Sequence, residues 1–361
     1  MSRRPHPVVV EAYRSYGTRD RVFVRGRVLA DPGVGRAAPE DRWWRNVRRT
    51  WRRMRSREVP HATVRVRFQG SETEAEADAE GHVHTWLVPA AAPPPERLWH
   101  DVELEVLEPP AAAGGRGASG VLVPSPAARF GVVSDIDDTV IQTDVARLLS
   151  MIADVAFGSA HTRAPFPGVA AFFRALHDGM GGTPNPLFYV SNGPWNLYDV
   201  FEHFLELRGI PPGPVELRDW GPPWKEARRV GAYGHKLESI RRIFRTLPGL
   251  PLILIGDSGE RDPEIYRDIV REFPARVPAV YIRDVSRDPL RRREIAALAD
   301  EVAAAGSALV LAEDTLAAAR HAAGQGWIRP GAVDAVAIES RHAPGHPATV
   351  VEGGLERREL G

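Results

Sequence analysis

The sequence has 361 residues, which at about 150 residues per domain corresponds to two or three domains. Hydrophobic residues make up 43% and charged residues 26%, the balance of a globular chain with a full core, which excludes a wholly disordered or fibrous one. Basic and acidic residues both number 47 and there are no cysteines, so no global field draws the chain to nucleic acid or an anionic membrane, and thiolate chemistry and disulfides are excluded.

The opening MSRRPHPVVVEAY has too short an apolar run for a signal-peptide core. No stretch reaches the roughly 20 apolar residues of a membrane span, and a soluble, cytoplasmic protein is expected. Extended runs follow: VVVEAYRSYGT, RVFVRGRVLA, ATVRVRF, HVHTWLVP and HDVELEVLE, several with alternating valines. Short strands with turn signals between them predict a small β-sandwich over residues 6–109. Residues 42–57, RWWRNVRRTWRRMRSR, hold eight arginines and no acid. On a helix Trp44, Val47, Trp51 and Met54 would form one apolar stripe, suited to peripheral contact with an anionic membrane. The plainer reading packs that stripe on the sandwich with the arginines solvated; a grip on single-stranded nucleic acid ranks lower, and no nucleic-acid partner is expected. His82 and His84 share a strand face, but with no third ligand evident an exposed hairpin is expected. The Pro/Gly/Ala/Ser run at 110–126 reads as a linker.

From residue 127 short apolar runs alternate with helical patterns, predicting a doubly wound, Rossmann-like α/β domain over 127–340. Strands are expected at 131–135, 187–191, near 215, 252–257, 279–284 and 308–312. Leu237, Ile240, Phe244 and Leu247 mark one helix stripe, and Ile265, Ile269 and Phe273 another. The run VARLLSMIADVAF reads as a helix of a small cap, and residues 341–361 as a flexible tail.

In an open α/β sheet, ligands bind outside the carboxyl ends of the strands. Those ends are polar here. The first gives SDIDDT, with Asp135 and Asp137 on the same side of an extended chain. The second ends in Ser191 within FYVSNGPWN, a hydroxyl followed by amides entering a helix, which suits an anion. A later one ends in Asp257 within GDSGERDPEIY, with Asp262 five residues on. Lys236 opens the helix before that strand, and it is one of only two lysines, with Lys225. Converging carboxylates without cysteine call for a hard divalent cation, and Mg2+ fits best. Asp135 could then attack phosphorus, Asp137 serve as acid and base, Ser191 hydrogen-bond a phosphoryl oxygen and Lys236 neutralise its charge. The plainer reading of a lone DxDxT is an N-terminal cap or a surface turn, and that of Asp262 before Pro263 a helix cap. Trp195, Trp220 and Trp224 lie near this edge, to line a pocket or to pack.

GVVSDIDDTVIQTDV, FYVSNGPWNLYDVFEHFLELRGIPPGPVELRDWG, HKLESIRRIF and LILIGDSGERDPEIY together resemble the catalytic domain of the actin-patch-protein phosphatidate phosphatase family, related to the lipins within the haloacid dehalogenase superfamily. The resemblance covers about residues 126–290. It implies a haloacid dehalogenase-like domain with a small cap behind the β-sandwich. It makes Asp135 the nucleophile and Asp137 the general acid/base, with Asp135, Asp137 and Asp257 holding Mg2+. Ser191, Asn192 and Lys236 become phosphate contacts, and Thr139 and Asp262 supporting residues. The expected activity is hydrolysis of phosphatidate or a similar lipid phosphate through an aspartyl-phosphate. A phosphatase of soluble phosphomonoesters, or an inactive lipid-binding scaffold, are the alternatives.

Overall fold

The computed structural model describes residues 8–30, 58–110, 115–136, 168–218, 231–286 and 288–342. The arginine segment at 42–57, the cap run at 145–157, Asp137, Thr139, Trp220, Trp224 and the tail beyond 342 lie outside the described residues.

Among the described residues the N-terminal half forms seven strands: β1 (Val8–Gly17), β2 (Val22–Ala30), β3 (Thr63–Phe68), β4 (Ser71–Glu76), β5 (His82–Leu87), β6 (Trp99–Glu108) and β7 (Arg116–Leu122). They make a single sheet in the order β4-β3-β6-β7-β1-β2-β5, in place of the two stacked sheets expected of a sandwich. Alternate residues of most strands, among them Val10, Val24, Val64, Val66, Val83, Leu104 and Val121, meet in one cluster, so the sheet curls around a shared core. β7 falls inside the stretch read as a linker. It pairs antiparallel with β6 and parallel with β1, and so sits in the middle of the sheet. Its small residues explain the reading: a Cβ at Gly117 would lie 2.5 Å from the Val10 carbonyl oxygen, so the strand needs glycine for close approach and carries little hydrophobic signal.

The described residues of the second half contain six parallel strands, β8 (Gly131–Asp135), β9 (Leu187–Pro194), β10 (Val215–Arg218), β11 (Leu252–Asp257), β12 (Ala279–Arg283) and β13 (Ala308–Ala312), in the order β10-β9-β8-β11-β12-β13. Helices cover both faces. On one lie α1 (Val169–Asp178), α2 (Tyr198–Leu207), α6 (Thr315–Gly324) and α7 (Ala332–His342); on the other lie α3 (Gly231–Thr246), α4 (Asp262–Glu272) and α5 (Pro289–Ala304). Covered on both sides, these strands carry apolar runs with no alternation, such as Leu252–Leu254 and Ala279–Ile282, all buried. The stripes expected at Leu237–Leu247 and Ile265–Phe273 pack beneath them in one cluster.

β2 faces both halves at once. Val22, Val24 and Val28 enter the sheet's own core, while Phe23, Arg25 and Arg27, one residue out of step, point to the α/β half, since a strand sends successive side chains to opposite faces. Along β1 a register irregularity between Tyr13 and Tyr16 adds to this. In a regular strand residues three apart face opposite ways; the irregularity lets both tyrosines enter the α/β clusters. At the centre Arg25 meets Glu216 of β10 at 2.9 Å, with both side chains 1% exposed. Glu216 also accepts from Tyr16 at 2.9 Å and from Arg242 of α3 at 3.1 Å. Burial alone would raise the Glu216 carboxyl, but Arg25 and Arg242 outweigh it and hold it below the usual range.

Candidate active site

With β8 counted first, the sheet order runs 3-2-1-4-5-6, and the order reverses between β8 and β11. That switch point is where an open α/β sheet leaves a crevice for ligand. β8 ends there with Asp135 and β11 with Asp257, each at the last residue of its strand. Asp135 pairs in register with Val190, so Ser191 follows one step later on the neighbouring strand.

Lys236, on the first turns of α3, reaches into this edge with 1% of its side chain exposed. Its Nζ lies 2.9 Å from Asp135 Oδ1, 2.9 Å from Glu260 Oε2 and 2.6 Å from Asp262 Oδ1. A lysine offers three donors, and here all three find carboxylates. Burial by itself would lower the ammonium, but Asp135 and Asp262 outweigh it and hold Lys236 well above the ordinary lysine value. Burial, reinforced by Asp262, in turn pushes the Asp135 carboxyl well up despite Lys236, because one ammonium does not neutralise three carboxylates. Burial, with Asp257 and Glu260 adding, raises Asp262 too, against the pull of Lys236. Oxygens of Asp135, Glu260 and Asp262 lie within 4.8 Å of one another. Hard oxygen donors with a local shortage of positive charge are the chemistry a divalent cation of the Mg2+ type satisfies.

Asp262 does not cap its helix. One oxygen binds Lys236 and the other accepts the Asp257 amide at 3.1 Å, and the α4 N-cap, Arg261, has no side-chain cap bond. Gly256 is required by this packing: a Cβ there would collide with the Asp262 carboxylate. Asp257, expected among the metal ligands, turns Oδ1 to the amides of Gly259 (2.7 Å) and Glu260 (3.1 Å), closing the loop that follows β11. Glu260 takes a place in the carboxylate group that the sequence reading did not assign. The signal for it was its position inside GDSGERD, between two aspartates already read as functional.

Ser191 is fully buried and accepts the Gly193 amide on Oγ at 3.0 Å; Asn192 beside it is 8% exposed. His235, next to Lys236, hydrogen-bonds the Ser191 backbone, and burial lowers its imidazole to about 4. The structure therefore brings Asp135, Lys236, Asp262 and Asp257 to one edge, with Ser191 and Asn192 on the adjoining strand. Trp195 does both: its ring stacks on Tyr13 with centroids 4.8 Å apart, and it lines a small cleft with Tyr13, Arg27, Asn196 and Tyr198. His82, expected on an exposed hairpin, is 4% exposed and packs against Trp195. Burial, with Arg27 and His84 adding, lowers its imidazole to about 3.

A parallel sheet with helices on both faces, whose switch point gathers carboxylates around a buried ammonium, defines an α/β protein of the class that binds ligands at the carboxyl edge of its sheet. Within it, residues 130–284 match the family described as the catalytic domain of phosphatidate phosphatase APP1. The resemblance read from the motifs is borne out over that stretch. Phosphatidate phosphatase APP1 of Saccharomyces cerevisiae is 31% identical over 155 residues, which are 43% of this chain and 26% of the yeast protein. An uncharacterized protein of Schizosaccharomyces pombe is 29% identical over 158 residues, 44% of this chain and 25% of that protein. The matched stretch thus spans about a quarter of each relative's length. Among solved structures, a carbohydrate acetylesterase from Xanthomonas citri aligns at 13% identity over 91% of this chain and 72% of that one, with a TM-score of 0.26. A likeness at that level carries no argument.

Proposed function

We propose that the chain is a Mg2+-dependent phosphatase acting on phosphatidate or a similar lipid phosphate, with Asp135 as nucleophile. The observation that supports this above the others is Lys236 buried at the switch point within 2.9 Å of Asp135. Such an ammonium is placed to hold a phosphoryl group against the attacking carboxylate. The match of residues 130–284 to a phosphatidate phosphatase catalytic domain supports the same chemistry.

In this reading a carboxylate oxygen of Asp135 attacks phosphorus and the ester oxygen leaves, taking a proton from Asp137, so that the phosphoryl group rests on Asp135. Asp137 then removes a proton from the water that cleaves the aspartyl-phosphate. Lys236, the Ser191 hydroxyl and Asn192 bind the phosphoryl oxygens throughout. Asp135, Asp137 and Asp257 would hold Mg2+, with Glu260 and Asp262 alongside, and the bound ion would supply neutralisation of phosphoryl charge. Thr139 would steady the nucleophile loop. Residues 42–57 would bring the protein to the lipid surface.

The test is phosphate release by the purified full chain with Mg2+ or with EDTA, on phosphatidate in mixed micelles and on a panel of soluble phosphomonoesters, with Asp135→Asn as control. Metal-dependent release from phosphatidate that the variant lacks is the expected result. Release confined to soluble esters would discard the lipid, and no release from any substrate would discard the enzyme in favour of a binding scaffold.

A further inference from the structure

The N-terminal sheet touches the α/β half at the two elements that carry the phosphate contacts. Arg27 of β2 donates from Nη1 to Asn196 Oδ1 at 2.6 Å, five residues after Ser191. Arg27 is itself fixed from behind, donating from Nε to the Glu80 carbonyl at 3.1 Å and from Nη2 to Glu58 at 3.1 Å, with its side chain 8% exposed. Next to Asn196, Trp195 stacks on Tyr13, and the Tyr13 ring also lies 4.4 Å from that of Tyr198, whose hydroxyl accepts the Arg14 amide at 2.7 Å. The segment leaving β9 after Ser191 is thereby held at three points, Trp195, Asn196 and Tyr198, by residues of β1 and β2. On the other side, Arg25 and Tyr16 reach α3, the helix of Lys236, through Glu216 and Arg242.

Adhesion alone needs only apolar area, whereas a directed bond from an arginine braced by two partners fixes a position. We propose that the N-terminal sheet is a working part of the site, and that Arg27 is a positioning residue that holds the Ser191–Asn196 segment in its phosphate-binding form. This rests on the phosphatase reading for its kinetic consequence, but not for its structural one. The Ser191–Asn196 segment grips the phosphoryl group before and during reaction alike, so loosening it raises KM more than it lowers kcat.

The experiment uses the full chain and four variants: Arg27→Gln, Arg27→Lys, Asn196→Ala and, on the far side of the same sheet, Arg65→Gln, which breaks only the exposed pair with Glu74. Two quantities are read: amide hydrogen exchange of peptides spanning 191–198, and KM and kcat for p-nitrophenyl phosphate with Mg2+. Arg27→Gln and Asn196→Ala should each speed exchange in that segment about tenfold, without change in β11, and raise KM about fivefold with kcat within about twofold. Arg27→Lys should recover part of the KM, and Arg65→Gln should match the wild type. If Arg27→Gln speeds exchange everywhere, Asn196→Ala decides, since it leaves Arg27 with Glu58 and Glu80. Unchanged exchange at 191–198 in Asn196→Ala, or an equal loss in Arg65→Gln, overturns the proposal. A wild type that releases phosphate neither from p-nitrophenyl phosphate nor from phosphatidate in mixed micelles would sink the phosphatase reading, and the exchange data would still decide the positioning role.

Discussion

Replacing Arg25 with methionine tests whether the two halves are joined by charge or only by contact. The guanidinium is 1% exposed, 2.9 Å from an equally buried Glu216. It also donates to the Arg14 carbonyl at 2.6 Å and the Val215 carbonyl at 3.3 Å. Breaking a buried pair costs about 3–5 kcal/mol because a charge is left without its partner. Glu216 keeps Arg242 and the Tyr16 hydroxyl, which places the loss at the lower end, while two carbonyls each lose a bond worth about 1 kcal/mol. Methionine refills part of the volume. The net expectation is a loss of about 3 kcal/mol in urea unfolding at pH 7. The pH dependence gives a second reading. In the wild type Glu216 is depressed, so its contribution is complete above the unfolded value of about 4.3 and is lost only as pH falls through the lower folded value. Without Arg25 its carboxyl rises and protonation relieves the buried charge, so the gap between variant and wild type should narrow from pH 7 to pH 4.5. In Arg25→Met with Glu216→Gln the charge is absent, and the loss should fall below that of Arg25→Met alone. A cost under about 1 kcal/mol at pH 7, or a gap independent of pH, would refute the reasoning.

Lys236→Met should leave three carboxylates unneutralised, lowering kcat/KM at least about 100-fold and stability by about 3 kcal/mol, as read by phosphate release and urea unfolding. Gly256→Ala should displace Asp262 and cut activity about tenfold with circular dichroism unchanged; full activity would show that Asp262 can shift without consequence. His82 is lowered to about 3 when folded, so its contribution is present above the ordinary 6.5 and drains away as pH falls below it. Between pH 6.5 and pH 5 this amounts to about 2 kcal/mol, and His82→Leu should lose that much less stability over the same interval; parallel urea midpoints for the two proteins would refute the assignment.

Much of the α/β half could be read in advance because a covered parallel strand is an apolar run that ends at a polar residue. GVVSD, LILIGD and ALVLA mark β8, β11 and β13 to the residue. Asp135, Asp257 and Lys236 were found from that edge alone. Glu260 was not, since a glutamate in a polar loop looks like any solvated one until Lys236 is seen to bind it. β4, SETEAE, has no buried side chain and hence no hydrophobic pattern; its place is set by cross-strand pairs such as Arg65–Glu74 and Arg67–Glu72. The alternation in β2 identified which residues leave the sheet's core, but period-2 patterning does not say whether water or protein covers the other row. Nothing local shows that Arg25 and Arg27 are buried, and His82 reads as a hairpin residue, because the partners that bury them lie more than 100 residues away in sequence, at Trp195, Asn196 and Glu216.

That separation has a consequence for how the protein is made. Because β7 pairs with β1, the N-terminal sheet cannot close until Leu122 has been added to the chain. Its face with Tyr13, Tyr16, Arg25 and Arg27 then waits for Glu216 and Arg242, still unmade. At about 5–20 residues per second the roughly 120 residues up to Arg242 take on the order of ten seconds of ribosome time. For that interval a half-finished molecule displays three aromatic rings, Phe23 among them, and two guanidinium groups to the cell, which makes the nascent chain, more than the finished protein, the form in need of a chaperone.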